Sequence, residues 1–125
     1  MDMMPAASSE KHVEALFGSE WIAEDIDGGG VIDNAHSTIM FEADGKLSGS
    51  GGCNNFSGQA KVDGYQMEIG PLAATQRACV PALSDQEQKF FQAITNTRSF
   101  EIDEGREKLI LKDSSGAPIV RLSKL

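Results

Sequence analysis

The sequence has few of the residues from which catalytic centres and metal sites are built. Its 125 residues include two cysteines, two histidines, one tryptophan and one tyrosine. No apolar run approaches the roughly 18–20 residues that a membrane-spanning helix needs, so no transmembrane segment is expected. The opening letters MDMMPAASSEKH lack the basic start and apolar core of a secretory signal peptide, so none is expected in this sequence.

Basic clusters are also missing. Nineteen acidic residues stand against eleven basic ones, giving a formal net charge of −8, and the lysines and arginines are scattered singly along the chain. A nucleic-acid partner would require a compensating basic patch, and an anionic membrane surface would repel such a chain. We therefore expect no nucleic-acid partner, and the acidity favours solubility.

The residue types that nucleophilic catalysis needs are sparse. A cysteine nucleophile requires a base, and His12 and His36 are the histidines available; His36 lies in a polar turn and is expected to be solvated. Cys53 and Cys79 do not form the Cys-x-x-Cys pattern of redox proteins, and the close ligand pairs of zinc sites are missing. We expect no enzyme, no metal and no cofactor. Whether the two cysteines form a disulfide or remain reduced is left open by composition.

The stretch SGSGGCNNFSG, from Ser48 to Gly58, is rich in glycine without being a phosphate-binding loop. Such loops lead into a helix and usually carry a lysine, whereas this stretch contains none and is followed by a strand pattern. Glycines between two strands are typical of a bulge or a sharp barrel corner. We expect the stretch to be such a corner.

Most of the chain has the two-residue alternation of half-buried strands. Residues 1–17 are interpreted as an N-terminal tail in which Ser9–Phe17 has a short helical pattern, and residues 18–125 as one domain. Asp44–Gly45 and Asp63–Gly64 are typical of tight hairpin turns. The predicted strands are Trp21–Ile26, Thr38–Glu42, Lys46–Ser48, Phe56–Val62, Tyr65–Ile69, Ser99–Ile102, Lys108–Leu111 and Ile119–Leu122, with Leu72–Arg77 extended.

One helix is predicted after the second cysteine. Ser84-Asp85-Gln86-Glu87 matches a capping box, an apolar stripe follows, and the helix should end near Asn96. About eight short antiparallel strands with one well-capped helix indicate a mainly β (α+β) fold, a sheet curled into a barrel or half-barrel with the helix packed against it.

Four features together resemble the META domain, also called the HslJ-like family. They are Gly-Cys-Asn within Gly52–Gly58, the run Ile69–Cys79 with its Thr75 ahead of the second cysteine, Glu87 followed by Phe90, and the opening Trp21. The resemblance implies a cracked, HslJ-like β-barrel, a link to heat shock and the bacterial envelope, and no established enzymatic activity. It also implies an extracytoplasmic, periplasmic or outer-membrane-associated location, which favours a Cys53–Cys79 disulfide. The structural motif it assigns comprises Gly52, Cys53, Asn54, Asn55, Gly58, Thr75 and Cys79.

On this basis the sequence is interpreted as a monomeric, non-enzymatic envelope stress or interaction module whose partner is an unidentified protein or envelope component. One alternative is a carrier of a small apolar ligand or lipid in the barrel interior; another is an inhibitor of a secreted hydrolase. The candidate interior residues are Trp21, Phe41, Met67, Phe90, Phe91 and Phe100. Six large side chains are also about what the core of a barrel this small requires.

Overall fold

The computed structural model describes residues 14–32 and 36–125, and it contains nine strands and one long helix within them. The strands are β1 (Glu20–Ile26), β2 (Thr38–Phe41), β3 (Lys46–Ser50), β4 (Asn55–Asp63), β5 (Gln66–Ile69), β6 (Ala73–Ala74), β7 (Ser99–Asp103), β8 (Lys108–Lys112) and β9 (Pro118–Lys124). The helix, α1, is Pro81–Asn96. No helix among the described residues is long and apolar enough to cross a membrane.

Eight of these strands form a closed antiparallel barrel. They follow the order β3-β2-β1-β9-β8-β7-β5-β4, and pairing of β3 with β4 closes the ring. The ninth, β6, lies outside the ring and pairs with the start of β4. The prediction of an antiparallel barrel with one helix packed against it is confirmed.

The β5–β7 junction has the fewest residues in register of any neighbouring strand pair in the ring. Gln66 and Ser99 are the one pair in register there, supported by hydrogen bonds from Met67 N to Arg98 O at 2.9 Å and from Phe100 N to Tyr65 O at 3.0 Å. Every other neighbouring pair in the ring has at least three residues in register. The ring is therefore closed, but it is held least firmly at this junction.

Strand β4 is long enough to serve three neighbours. One edge pairs with β3 over Asn55–Gln59, and the other pairs with β5 near its end and with β6 near its start. The segment Gly70–Leu72 separates β5 from β6. The predicted extended run Leu72–Arg77 is thus a strand only at Ala73–Ala74, because β4 begins at Asn55 and the Arg77 amide meets the Asn54 side chain instead of strand backbone.

The core follows the alternation seen in the sequence. Inward side chains from both halves of the barrel and from α1 form one cluster of twenty buried apolar residues, to which Leu16 also belongs. The predicted hairpin turns are confirmed, since Gly45 (φ 96°) and Gly64 (φ 61°) both have the positive φ that such turns require.

The predicted start of the helix is wrong. Helix α1 begins at Pro81, with Val80 as its N-cap and no side-chain cap, so it is not well capped. Ser84 lies inside the first turn, where its amide donates to Val80 O at 3.1 Å. Proline at the first helical position is a sufficient start signal, and Glu87 makes tertiary contacts instead of a capping bond. The predicted end at Asn96 is confirmed.

The N-terminal helical pattern Ser9–Phe17 lies partly outside the described residues, as does His12. Residues 14–16 are helical, and Phe17 forms an isolated parallel bridge with Phe41. The indole Nε1 of Trp21 donates to Leu16 O at 3.3 Å, so this turn is fastened to the core.

Candidate functional site

The segment Gly51–Asn54 forms a tight turn between β3 and β4. The amide of Gly51 donates to Asn54 O at 2.8 Å, and the amide of Gly52 donates to the Ser50 hydroxyl at 3.2 Å. Gly52 has φ 119°, a conformation that residues with a side chain rarely adopt. The turn places the backbone amides of Cys53 and Asn54 against helix α1.

A buried carboxylate receives those amides. Glu87 is only 3% exposed. Its Oε1 accepts hydrogen bonds from Cys53 N at 3.2 Å and Asn54 N at 2.6 Å. Its Oε2 accepts a third from Asn54 Nδ2 at 2.7 Å. Three donors converge on this carboxylate, which compensates for the cost of removing it from water.

Close approach explains the glycine at position 51. A Cβ built on Gly51 would lie 2.5 Å from Glu87 Cγ and 2.7 Å from its Oε1. A real side chain there would displace the Glu87 side chain from the amides it accepts. Gly51 is therefore a contact requirement, whereas Gly52 is a conformational one.

Asn54 joins the turn to the segment that carries the second cysteine. Its Oδ1 accepts from Arg77 N at 2.6 Å and from the Thr75 hydroxyl at 3.0 Å. The same Thr75 Oγ1 accepts the amide of Asn55 at 3.1 Å. Together with its bonds to Glu87, these contacts let one asparagine connect β4, helix α1 and residues 75–77.

The two cysteines add a covalent connection at the same place. Cys53 and Cys79 form a disulfide with their Cα atoms 6.3 Å apart. Since the sequence contains no other cysteine, no free thiol is available for nucleophilic or redox chemistry. Composition left the pairing open and the family resemblance favoured it, and the two cysteines are bonded in the structure.

A second buried polar residue fastens the helix from its other side. Gln86 Oε1 accepts the amide of Ile32 at 2.7 Å, and its Nε2 donates to the Ser37 hydroxyl at 3.0 Å. Ser37 in turn donates to Gly51 O at 3.0 Å. Two adjacent helical residues, Gln86 and Glu87, thus hold two different loops. Glu87 was predicted to cap the helix, and no role was predicted for Gln86. Polar residues next to an apolar helical stripe were nevertheless a signal of such contacts.

The remaining motif residues have structural surroundings of other kinds. Gly58 lies in β4 opposite Leu47, under the side chain of Leu72, and Asn55 is exposed at the start of β4. Five of the six candidate interior residues are at most 2% exposed in the core: Trp21, Phe41, Met67, Phe90 and Phe100. Phe91 differs, because it is half-buried and packs its ring against Phe56 at 5.1 Å between centroids.

A cleft of about 500 Å³ opens beside this network, and we call it the β6–α1 cleft. One wall is the segment 72–78, which is exposed from Ala73 onward, and the other is the face of α1 that carries Ser84, Gln88 and Phe91. Leu72 and Phe91 are partly buried apolar residues of its lining, and Arg77 belongs to the lining too. Its volume falls within the range of ordinary ligand pockets.

A charged cluster occupies the opposite side of the barrel. Glu24 accepts hydrogen bonds from Lys108 Nζ at 2.6 Å and Ser123 Oγ at 2.9 Å, and pairs with Arg121 at 3.3 Å. The hydrogen bond from Lys108, followed by those from Ser123 and Arg121, lowers the pKa of Glu24 below its ordinary value. This cluster joins β1, β8 and β9 and lines a wide surface hollow.

The histidine and acidic residues of the described chain do not assemble into a metal centre. His36 is exposed, as its polar turn predicted. Across residues 14–32 and 36–125, no group of three His, Cys, Asp or Glu side chains is placed to hold a metal ion.

Comparison with known proteins identifies both a family and a fold. The family model described as META domain matches residues 14–124. An NMR structure of a protein from Burkholderia xenovorans is similar with a TM-score of 0.73 and 18% identity, covering 95% of this chain and 87% of that one. A second NMR structure has a TM-score of 0.63 and 24% identity over 86% of this chain and 91% of the other. A crystal structure of a DUF4847 family protein from Bacteroides vulgatus has a TM-score of 0.55 and 21% identity over 70% and 57%. No curated protein matches the chain.

Proposed function

The chain belongs to the META domain family, and from this starting point we propose that it is a non-enzymatic interaction module that acts outside the cytoplasm. The proposal includes an envelope stress role, a monomeric state and a protein or envelope component as partner. At identities of 18–24%, the similar structures support the barrel alone, so the argument for function depends on the site.

One observation carries the proposal: the polar groups of the motif are engaged with one another. Glu87 accepts three hydrogen bonds. Asn54 uses both the oxygen and the nitrogen of its side-chain amide, and both cysteines are in the disulfide. A catalytic group must be free to meet a substrate, whereas these groups fasten three segments of the chain together. Such a scaffold supports a role in which the exposed surface does the binding.

The disulfide supports the proposed location. Disulfides persist in oxidising compartments such as the periplasm and are rare in the cytosol. The Cys53–Cys79 bridge is therefore compatible with extracytoplasmic residence. A mass difference of two hydrogens between untreated and reduced protein, isolated from its host under thiol-blocking conditions, tests this directly.

The carrier alternative needs room inside the barrel. Trp21, Phe41, Phe90 and Phe100 instead pack within one core cluster, which gives the interior a structural use. Native mass spectrometry of protein from its own host separates the two functions, since a retained lipid mass would support the carrier and contradict the interaction module.

The decisive experiment is capture from an envelope extract. Disulfide-intact protein is immobilised, and bound material is quantified against an equally acidic, identically tagged protein of similar size. We expect a specific partner retained in a defined ratio. Turnover of a substrate, or lipid retention with no partner, would contradict the proposal.

A further inference from the structure

Among the described residues, no strand pairs with the outer edge of β6. Antiparallel pairing joins Phe56 with Ala74 and Ser57 with Ala73, and beyond them Thr75 N donates to Asn55 O at 3.0 Å. The next inward amide is that of Arg77, which donates to Asn54 Oδ1 at 2.6 Å. Because backbone groups of successive strand residues point to opposite sides, the amides of Ala74 and Gln76 point away from β4.

This edge has only part of the protection that open strands usually carry: β6 itself is just two residues long. Exposed edges are commonly blocked by lysine, proline, a bulge or a covering element. Here residues 73–78 are all exposed and include no lysine or proline. Ala73 and Ala74, the residues of β6, have small side chains. The bond to Asn54 and the disulfide fasten the segment at Arg77 and at Cys79, which restricts its free backbone groups before any partner arrives.

The neighbouring cleft offers side-chain contacts along the same edge. Phe91 and Leu72 are half-buried and apolar, and they lie along the β6–α1 cleft. Arg77 and Glu87 are the charged residues among those that line the cleft, and Glu87 is buried with three donors. Within the described residues the guanidinium of Arg77 makes no ion pair. In a chain of net charge −8, the accessible charge at this cleft is thus positive.

We propose that the β6–α1 cleft binds an extended peptide of a partner protein by strand addition to β6, with an apolar side chain against Phe91 and a carboxylate paired with Arg77. Main-chain bonds to Ala74 and Gln76 supply affinity, and the apolar lining and the guanidinium supply selectivity, as in other proteins that recognise peptides at a sheet edge. This inference rests on the proposed interaction function and names its site.

The test begins with a phage-displayed library of random linear dodecapeptides, panned against disulfide-intact protein. We expect enriched peptides to alternate apolar residues and to carry one Asp or Glu. Synthetic copies are then measured by fluorescence polarisation. We expect Arg77→Glu to weaken binding at least tenfold, whereas Arg106→Glu, the same charge change on the exposed β7–β8 turn, leaves it within twofold.

Backbone pairing has its own readout. Ala74→Pro removes an amide that points away from β4, and we expect loss of binding with little change in thermal unfolding. Peptides N-methylated at alternate residues in one register should lose binding, and those methylated in the other register should keep it. If Ala74→Pro fails to fold, the two methylated peptides still test the pairing.

Hydrogen exchange locates the contact. In the free protein we expect the Thr75 and Arg77 amides to be protected and those of Ala74 and Gln76 to exchange quickly. Bound peptide should slow the latter two at least tenfold. No enriched peptide, binding indifferent to Arg77→Glu, or protection elsewhere would overturn the proposal. So would a dimer of this chain that Ala74→Pro dissolves, since a second copy would then occupy the edge.

The two proposals fail separately. If a partner is captured from extract equally well by parent, Arg77→Glu and Ala74→Pro proteins, the interaction function stands and the cleft is not its site. If lipid is retained and no partner is captured, the interaction function fails whatever the peptides do.

Discussion

Replacing Glu87 by glutamine is the sharpest test of the buried network. The change keeps the size of the side chain and replaces one oxygen by an NH2 group. If the remaining oxygen keeps the amides of Cys53 and Asn54, the new NH2 faces Asn54 Nδ2, which lay 2.7 Å from Glu87 Oε2. Two donors then oppose each other in a site that is 3% exposed.

Asn54 cannot relieve this conflict by turning its amide. Its Oδ1 already accepts from Arg77 N at 2.6 Å and from the Thr75 hydroxyl at 3.0 Å, so a turned amide would lose both bonds. Hydrogen bonds to charged groups contribute about 1.5–3 kcal/mol each, and a buried unsatisfied donor costs a similar amount. We expect Glu87→Gln to lower the free energy of unfolding by about 2–4 kcal/mol, a large part of the roughly 5–15 kcal/mol of a typical domain.

Urea unfolding followed by the fluorescence of Trp21 measures this loss. Trp21 is the only tryptophan and is 1% exposed, so its emission reports opening of the core. The matched control is Glu68→Gln on the exposed face of β5, expected within about 0.5 kcal/mol of the parent. A double-mutant cycle with Asn54→Ala should give a coupling energy of about 1–3 kcal/mol. A Glu87→Gln protein as stable as its parent, or a cycle with no coupling, would refute the reasoning.

Three further predictions concern other parts of the chain. Replacing Cys53 and Cys79 by serine frees a loop closed over a separation of 26 residues, so the free energy of unfolding should fall by about 3 kcal/mol; calorimetry without reductant showing a loss below about 1 kcal/mol would contradict this. Gly52→Val forces a side chain into φ 119° and should lower the melting temperature by roughly 5 °C or more; an unchanged melting temperature would contradict the conformational role of Gly52. The hydrogen bond from Lys108 lowers the pKa of Glu24, so ionised Glu24 stabilises the folded state. This stabilisation is complete above the unfolded pKa of about 4.3 and is lost as pH falls through the folded pKa. Glu24→Gln should therefore lose less stability than the parent between about pH 5 and about pH 3, and equal losses by urea titration would exclude this contribution.

The strand pattern was predictable because most strands of this barrel have one wet and one buried face. Tyr65–Ile69 alternates in the sequence, and Met67 and Ile69 are buried while Gln66 and Glu68 are exposed. Such alternation is a local property of the chain, and so are the Asp–Gly turns. The positions of the eight barrel strands therefore agree with the sequence to within two residues at each end.

The helix start was misread because one residue satisfied two patterns. Glu87 stands three positions after Ser84, as in a capping box, yet its carboxylate is drawn to amides 33 and 34 residues earlier in the chain. Which donors a glutamate meets depends on long-range packing. Ser84 is left inside the helix, and Pro81 provides the start.

The class of fold, the spacing of its turns and the glycines at its sharpest bend follow from short stretches of the chain, since all three depend on side-chain alternation and backbone freedom over a few residues. Three contacts require the folded chain: β3 meets β4 to close the barrel, Cys53 meets Cys79, and Glu87 lies beneath Gly51. Those contacts join residues distant along the chain, and their geometry is set by how the whole barrel packs around its core.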